Sequence, residues 1–347
     1  MSDASKSYMI KEHIAFAAPW RDAAAAAAKN KGVVFSVKHI FIINPTAGRD
    51  NAAETLPQRI RSAGSRLNAD VEIQVTQAHG HAIELARQAS SQGQPVRLYA
   101  CGGDGTLNEV LCGAHGQPLV EVGHIPCGSG NDMIRNFGPE KAFQNIEDMM
   151  RGRSRLIDLI SVNGRMTASI CAAGLDAKVA DNIPRFRRIP LCGGSMAYNL
   201  SIVKCLMGRL GYHMTIESEG RRFEDEYLLA AVGNGGYYGG GYHSLPLAKT
   251  DDGLLNVVLV KKIPLLRIPP ILGRYKAGTH FGADGGIAPD LQSVISTFTA
   301  KSVTISCDRE FCYTLDGECS HSRCIRAQVV PSGIRFILPQ GLSSAEN

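Results

Sequence analysis

The chain has 347 residues, a formal net charge of +5, 44% hydrophobic residues and 20% charged residues. This is the composition of a globular protein with room for two cores rather than one. Its basic residues form no aromatic-interleaved stripe of the kind nucleic acid would need, and no apolar run reaches the roughly 18–20 residues of a membrane span.

Residues 1–32 read as a weakly packed N-terminal extension. They carry a run of alanines, Ala23–Ala28, but no apolar face. They also lack the apolar core of roughly 7–15 residues that a signal peptide places behind a basic start. Residues 33–43, "VVFSVKHIFII", predict a buried strand that ends at Asn44-Pro45. Further strands are predicted over 70–76, 95–101 and 119–125, with helices over about 51–67, 80–92 and 106–114. This alternation predicts a Rossmann-like α/β domain with a mainly parallel sheet and helices on both faces.

Past residue 155 the pattern changes. A hairpin is expected to turn at Asn163-Gly164. A helix follows at about 191–209, then short strands near 212–218, 221–233, 254–261, 302–307, 311–316 and 325–330. These predict an antiparallel, β-sandwich-like second domain with one or two inserted helices. The run "GIRFILP" (333–339) is expected to return to the first domain. The expected organisation is therefore an extension over 1–32, an α/β domain over 33–155 with a returning 331–340, and a β-rich domain over 156–330.

There are ten cysteines. Cys101, Cys112, Cys171 and Cys205 sit in apolar runs, as reduced thiols of a cytosolic protein do. Cys307, Cys312, Cys319 and Cys324, with His321 among them, are spaced x4, x6, x4. That differs from the paired C-x2-4-C spacing of zinc sites, so a metal is not expected from spacing.

Three polar turns fall at predicted strand ends: "NPTAG" (44–48), "GGDGT" (102–106) and "PCGSGND" (126–132). Glycines let main-chain N–H groups approach a ligand, and a helix N-terminus adds unpaired donors and a positive dipole end. Such turns at the carboxyl edge of a parallel sheet suit a phosphate. An aspartate within the cradle, Asp104, suits a Mg²⁺-bound nucleotide. The pentad also fits a tight turn with Asp104 as a helix N-cap, and Thr106 fits either a cap or a phosphate donor. Far downstream, "YTLDGECS" sets Asp316 and Glu318 two apart, where a strand would aim both the same way. Asp316 is the candidate base for a hydroxyl that attacks a phosphoryl group. An exposed Asp-Gly hairpin turn is the alternative for that stretch.

Taken in order, these motifs resemble the diacylglycerol kinase catalytic family of lipid kinases, which is related to the sphingosine and ceramide kinases. The likeness runs from about residue 38 to 339. It also includes "GNGGYYGGGYHSLPLAKTDDGLLNVV" (233–258) and "LDGE" (315–318). Ala47 stands where the family's first turn usually has serine, and Ser129 where its third has threonine. NAD kinases share GGDGT but are not expected to carry the 233–258 and LDGE segments.

The resemblance implies an ATP-binding domain followed by a lipid-substrate domain. ATP would lie against Asn44, Pro45, Thr46, Gly48 and Arg49, against Gly102, Gly103, Asp104, Gly105, Thr106 and Glu109, and against Gly128, Ser129, Asn131 and Asp132. Asp316 would be the general base, supported by Glu318. Asp104 and Asp158 would join an acidic network around a catalytic Mg²⁺. A structural Mg²⁺ would bind the Asp252 carboxylate and the Lys249 and Leu254 carbonyls.

The implied reaction is phosphorylation of a lipid hydroxyl, with diacylglycerol as acceptor and sphingoid bases, ceramide or monoacylglycerol as alternatives. A non-catalytic lipid-binding relative would lack one of the catalytic carboxylates, and all are present. Such an enzyme is expected to be cytoplasmic and to meet an anionic membrane surface peripherally. The basic segments "IPRFRRIP" (183–190) and "KKIPLLRIPPILGRYK" (261–276) are the candidates for that contact. An unpaired sheet edge in the second domain could support a homodimer.

Overall fold

The structure, a computed structural model, describes residues 37–48, 52–187, 189, 194–208, 210–282 and 284–342. The N-terminal extension, the first residues of the first predicted strand, Arg49 and Arg188 lie outside the described residues. The chain divides into two compact units. The first holds residues up to Gly128, Phe137–Ile157 and those from Ser332 onward. The second holds Ser129–Asn136 and Asp158–Pro331. The short segment Ser129–Asn136 thus groups with the second unit, apart from its flanks.

In the first unit, strands β1 (Lys38–Ile43), β2 (Val71–Val75), β3 (Val96–Gly102) and β4 (Val120–Pro126) alternate with helices α1 (Ala52–Leu67), α2 (His81–Ser90) and α3 (Asp104–Ala114). Two short helices, α4 (Glu140–Phe143) and α5 (Ile146–Arg151), follow. The four strands pair in parallel in the order β2-β1-β3-β4. Arg335 and Phe336, near the end of the last strand, pair in parallel with β4. Strands β3 and β4 are buried along their whole length, which is why they read as unbroken apolar runs, whereas the edge strand β2 keeps some exposure. One charge sits inside this sheet. Arg97 pairs with Glu121 at 2.7 Å and donates to the Met150 and Gly152 carbonyls, so the buried cation is fully partnered.

The second unit is mainly antiparallel. Strand β5 (Arg153–Val162) leads into it and turns at Asn163-Gly164 to β6 (Arg165–Thr167), and β7 (Ile170–Gly174) follows. Helices α6 (Leu175–Arg187) and α7 (Gly194–Leu206) come next, then β8 (Tyr212–Ser218), β9 (Arg221–Gly233) and β10 (Leu255–Lys261). Helix α8 (Ile268–Ala277), β11 (Ile295–Ala300), β12 (Ser302–Leu315) and β13 (Glu318–Leu338) complete it. Pairing runs β11-β10-β9-β7-β12-β13, with β8 joined to both β9 and β12.

Alternate residues of the central strands feed two apolar clusters. Cys171, Ala230, Val257 and Leu259 enter one, with residues of β8, β12 and β13. Ala172, Ala231, Val258 and Val260 enter the other, with residues of α6, α7 and α8. The sheet is therefore buried on both faces, under strands on one side and helices on the other.

Three sequence expectations change here. Helix α3 begins at Asp104 rather than 106, so Gly103 is the N-cap and Asp104 lies in the first turn. The predicted strands 302–307 and 311–316 are one strand, with a register shift between Ser306 and Phe311. Helix α6 covers residues 183–187 of the first basic segment and encloses Pro184, which reads from sequence as a breaker.

Candidate functional site

In the first unit the ends of β1, β3 and β4 lie side by side. The Asn44 main-chain N–H donates to the Cys101 carbonyl at 2.9 Å, so the first turn is joined to the end of β3. Asn44 Nδ2 donates to Thr106 Oγ1 at 3.1 Å, and Asn44 Oδ1 accepts from the N–H and hydroxyl of Thr46. Pro45 continues this turn, and Gly48 takes a φ of 81°. Thr106 is buried inside α3, and neither it nor Asp104 is the N-cap considered from sequence; that position is held by Gly103.

The Gly102 carbonyl accepts from Cys127 N–H at 2.9 Å, from Gly128 N–H at 3.3 Å and from His124 Nε2 at 3.0 Å. These bonds hold the second and third turns together. A Cβ on Gly102 would fall 2.2 Å from Thr106 Oγ1, and one on Gly103 would fall 3.3 Å from Gly128 Cα. At Gly102 a side chain would force Thr106 to move, and at Gly103 it would crowd Gly128. Gly105 and Asp104 form the first turn of α3, where main-chain donors have no carbonyl one turn back. The residues therefore fit a phosphate group: a glycine cradle at a helix N-terminus.

Burial pushes the His124 imidazole down to about 4, and His39, which bonds Tyr99 Oη at 2.9 Å, down to about 4 for the same reason. Glu109 is engaged by the main chain of a neighbouring helix. Its two oxygens accept from the Gly80 and Ala82 N–H groups, at 2.9 and 3.1 Å, and so cap helix α2 from a neighbouring helix. A cleft of about 620 Å³ beside α1, lined by Arg59, Arg66 and Lys141 among others, contains none of the motif residues.

In the second unit Ser129 is exposed, and Asn131 is buried with a φ of 54°. Asp132 accepts from the Gly240 and Gly241 N–H groups at 2.8 and 2.7 Å, and Arg135 stands 3.4 Å from the same carboxylate. Asp132 thereby anchors the glycine-rich 239–241 loop. Asn136, which sequence reading did not single out, does the same for Gly236 at 2.7 Å.

Asp316 and Gly317 form the two-residue turn between β12 and β13, with φ of 45° and 92°. Positive φ at both positions is the signature of a type I′ hairpin, so strand alternation does not apply there. Both carboxylates bond to the segment from Arg165 to Ile170. Asp316 accepts from the Thr167 hydroxyl, from Ala168 and Ile170 N–H at 2.9 Å each, and from Ser169 N–H at 3.2 Å. Glu318 accepts from Arg165 at 2.9 Å.

A hydrogen-bonded path runs on from this turn. Ser169 O accepts from Asn234 N–H at 2.8 Å, and Asn234 Nδ2 donates to the Asp158 carbonyl at 2.7 Å. Asp158 N–H donates to Thr250 O, and Asp158 Oδ2 accepts from Gly253 N–H, each at 2.7 Å. The structure thus joins Asp316, Asp158 and the 250–253 loop within one unit. Thr167, Ser169 and Asn234 are the links that sequence reading missed. Asp104 belongs to the other unit.

The loop of Lys249, Asp252 and Leu254 is a polar turn in which Asp252 Oδ1 accepts from Leu254 N–H at 3.0 Å. Its exposed carboxylate and its carbonyls form an oxygen-only donor set, which fits a hydrated Mg²⁺. One more carboxylate has the character of a functional group. Asp176 keeps Oδ2 buried without a hydrogen-bond partner, and burial pushes it up to about 7.

Residues 38–162 match the diacylglycerol kinase catalytic domain, and residues 169–338 match the YegS C-terminal NAD kinase beta sandwich-like domain. The chain is 30% identical over 313 residues to the "Putative lipid kinase YtlR" of Bacillus subtilis, covering 85% of this chain and 98% of that one. It is 28% identical to a diacylglycerol kinase of Staphylococcus aureus, covering 76% of this chain and 84% of that one. A diacylglycerol kinase crystal structure from Bacillus anthracis superposes with a TM-score of 0.64 at 21% identity, over 90% of this chain and 100% of that one, so the fold is shared.

Proposed function

This chain belongs to the family of lipid kinases built on the diacylglycerol kinase catalytic domain, and from that premise we propose that it transfers the γ-phosphoryl group of ATP to the primary hydroxyl of diacylglycerol, giving phosphatidic acid. The observation that carries this reading is the Asp316 carboxylate, fixed at a hairpin turn by one side-chain hydroxyl and three main-chain N–H groups.

Magnesium-bound ATP supplies the phosphoryl group and a divalent charge that offsets the charge on it. Asn44, Gly102, Gly103, Gly105, Thr106 and Gly128 would hold the phosphates through main-chain and hydroxyl donors. Asp104 would hold Mg²⁺, directly or through water. Asp252 and the carbonyls of Lys249 and Leu254 would hold a second, structural Mg²⁺.

Asp316 accepts a hydrogen bond from the acceptor alcohol and takes its proton. Thr167 donates to Asp316 from a side-chain hydroxyl, the type of donor an acceptor alcohol would supply in its place. Phosphoryl transfer passes through a loose transition state, so the position of this carboxylate matters more than its strength as a base. Glu318, held by Arg165, supports the turn.

The acceptor is a membrane lipid, and no helix among the described residues is long and apolar enough to cross a membrane. A cytoplasmic protein that docks on the bilayer surface is the arrangement we propose. The test is purified protein with Mg²⁺ and labelled ATP against diacylglycerol, monoacylglycerol, ceramide and sphingosine. Label in phosphatidic acid is the expected result. Label in another lipid alone would move the acceptor, and no labelled lipid at all would overturn the reading.

A further inference from the structure

Helix α6 and the hairpin of β12 and β13 bring together three side chains that the phosphotransfer reading does not use. The Sγ atoms of Cys312 and Cys319 and a carboxylate oxygen of Asp181 all lie within 4.8 Å of one another. Cys312 is opposite His321 in the register and Cys319 is opposite Thr314, so the two thiols are diagonal neighbours on one face of the hairpin. Phe311, Tyr313 and Leu315 point the other way, into the apolar cluster. Helix α6 lies over the thiol face. Cys319 Sγ is 3.8 Å from the Ala177 carbonyl, one turn before Asp181. The spacing of the four late cysteines conceals this grouping, because the third donor comes from a helix more than a hundred residues earlier.

The donors suit a metal better than a disulfide. Diagonal neighbours on an antiparallel pair are ~7–8 Å apart at Cα, beyond the ~4.4–6.8 Å that a disulfide usually spans. Two sulfurs on one zinc ion, each at ~2.3 Å, need to be within ~4.6 Å of each other, and these two lie within 4.8 Å. Lys178, one turn from Asp181, is close enough to act on the Cys312 charge. Two thiolates and a carboxylate around a divalent ion leave one negative charge, which that ammonium offsets.

We propose that Asp181, Cys312 and Cys319 form a binding site for a thiophilic divalent cation of the zinc class, with water in the fourth position. The ion would clip helix α6 to the hairpin whose turn carries Asp316.

The full chain, purified in reductant, stripped with chelator and dialysed against zinc, is the material for the test. One zinc per chain by elemental analysis is expected, together with a thiolate-to-metal charge-transfer band on cobalt substitution and a zinc-dependent rise in melting temperature. Cys312→Ser and Cys319→Ser should each lose the band and the zinc-dependent rise, and Asp181→Asn should weaken zinc binding without changing the metal-free melting temperature. Melting of the zinc-free variants checks that they fold, and Asp181→Asn keeps the test open if a cysteine variant does not. Zinc below one tenth per chain, or zinc retained at full stoichiometry by the Cys312→Ser/Cys319→Ser double variant, would overturn the site. So would a protein, purified without reductant, whose intact mass and thiol count show these two cysteines joined as a disulfide.

Discussion

In the proposed reaction Asp316 is the base, and its carboxylate is held by four neighbouring donors. Its oxygens accept from Thr167, Ala168, Ser169 and Ile170, so its direction is set before any substrate arrives. Asp316→Asn keeps the shape but turns an amide N–H₂ toward main-chain donors and removes the proton acceptor. kcat should fall by about 10²–10⁴, the usual range for a positioned base, and the melting temperature should drop as well. Turnover within a few-fold of the parent enzyme in a folded Asp316→Asn protein would take this residue out of the base role. Glu109 and Asp132 are held in the same way, by main-chain N–H groups. Both stand inside motifs that suggest contact with the nucleotide. Their oxygens are engaged by the main chain at Gly80 and Ala82, and at Gly240 and Gly241.

At the level of elements, the parallel sheet was legible in the sequence because each strand is a short apolar run closed by a polar or glycine turn. The chain order of β1 to β4, their helices and the Asn163-Gly164 hairpin follow from local chemistry alone. Helix α6 was hidden by Pro184 and a cluster of arginines, and β11 by its serines and threonines, which leave it partly exposed. The bonds that build the site were hidden for another reason. Asp132 and Gly240 are 108 residues apart, and Asp316 and Thr167 are 149 apart, distances over which no periodicity speaks.

The same sheet makes a prediction about pH. His39 and His124 have folded values near 4 against an ordinary 6.5, because burial disfavours the imidazolium. The folded state therefore prefers them neutral. Their contribution is fully present above about pH 6.5 and is lost as the pH falls toward 4, by at most on the order of 3 kcal/mol each. Urea midpoints of the parent should fall across that window. A His39→Gln/His124→Gln protein should show a shallower fall, since glutamine does not titrate. An identical slope in that variant would assign the acid sensitivity to other groups.

For the whole molecule the question is how a chain with no membrane-spanning helix among its described residues reaches a lipid. Charge was the first candidate, but much of it is already engaged in the second basic segment. Lys261 pairs with Asp225 and Lys262 with Glu226, each at 2.7 Å, and Arg274 pairs with Asp290 at 2.5 Å. In the first segment Arg185 is exposed, while the Arg187 and Arg188 side chains lie outside the described residues. Apolar exposure is the stronger feature. Met196, Leu200 and Val203 on α7, with Met207 just beyond it, follow a helical spacing and are 54%, 38%, 53% and 82% exposed. Leu266 is 90% exposed. Large apolar side chains on one helical stripe, outside either core, suit the acyl boundary of a bilayer. Placing Glu at Val203 and at Leu266 should lower sedimentation with vesicles several-fold, whether the vesicles are neutral or anionic, because apolar burial rather than charge supplies the attraction. The melting temperature should hold, since neither side chain belongs to a core cluster. Undiminished vesicle binding by the Val203→Glu/Leu266→Glu protein would rule these side chains out. Binding that vanished from neutral vesicles but persisted on anionic ones would return the role to the basic residues.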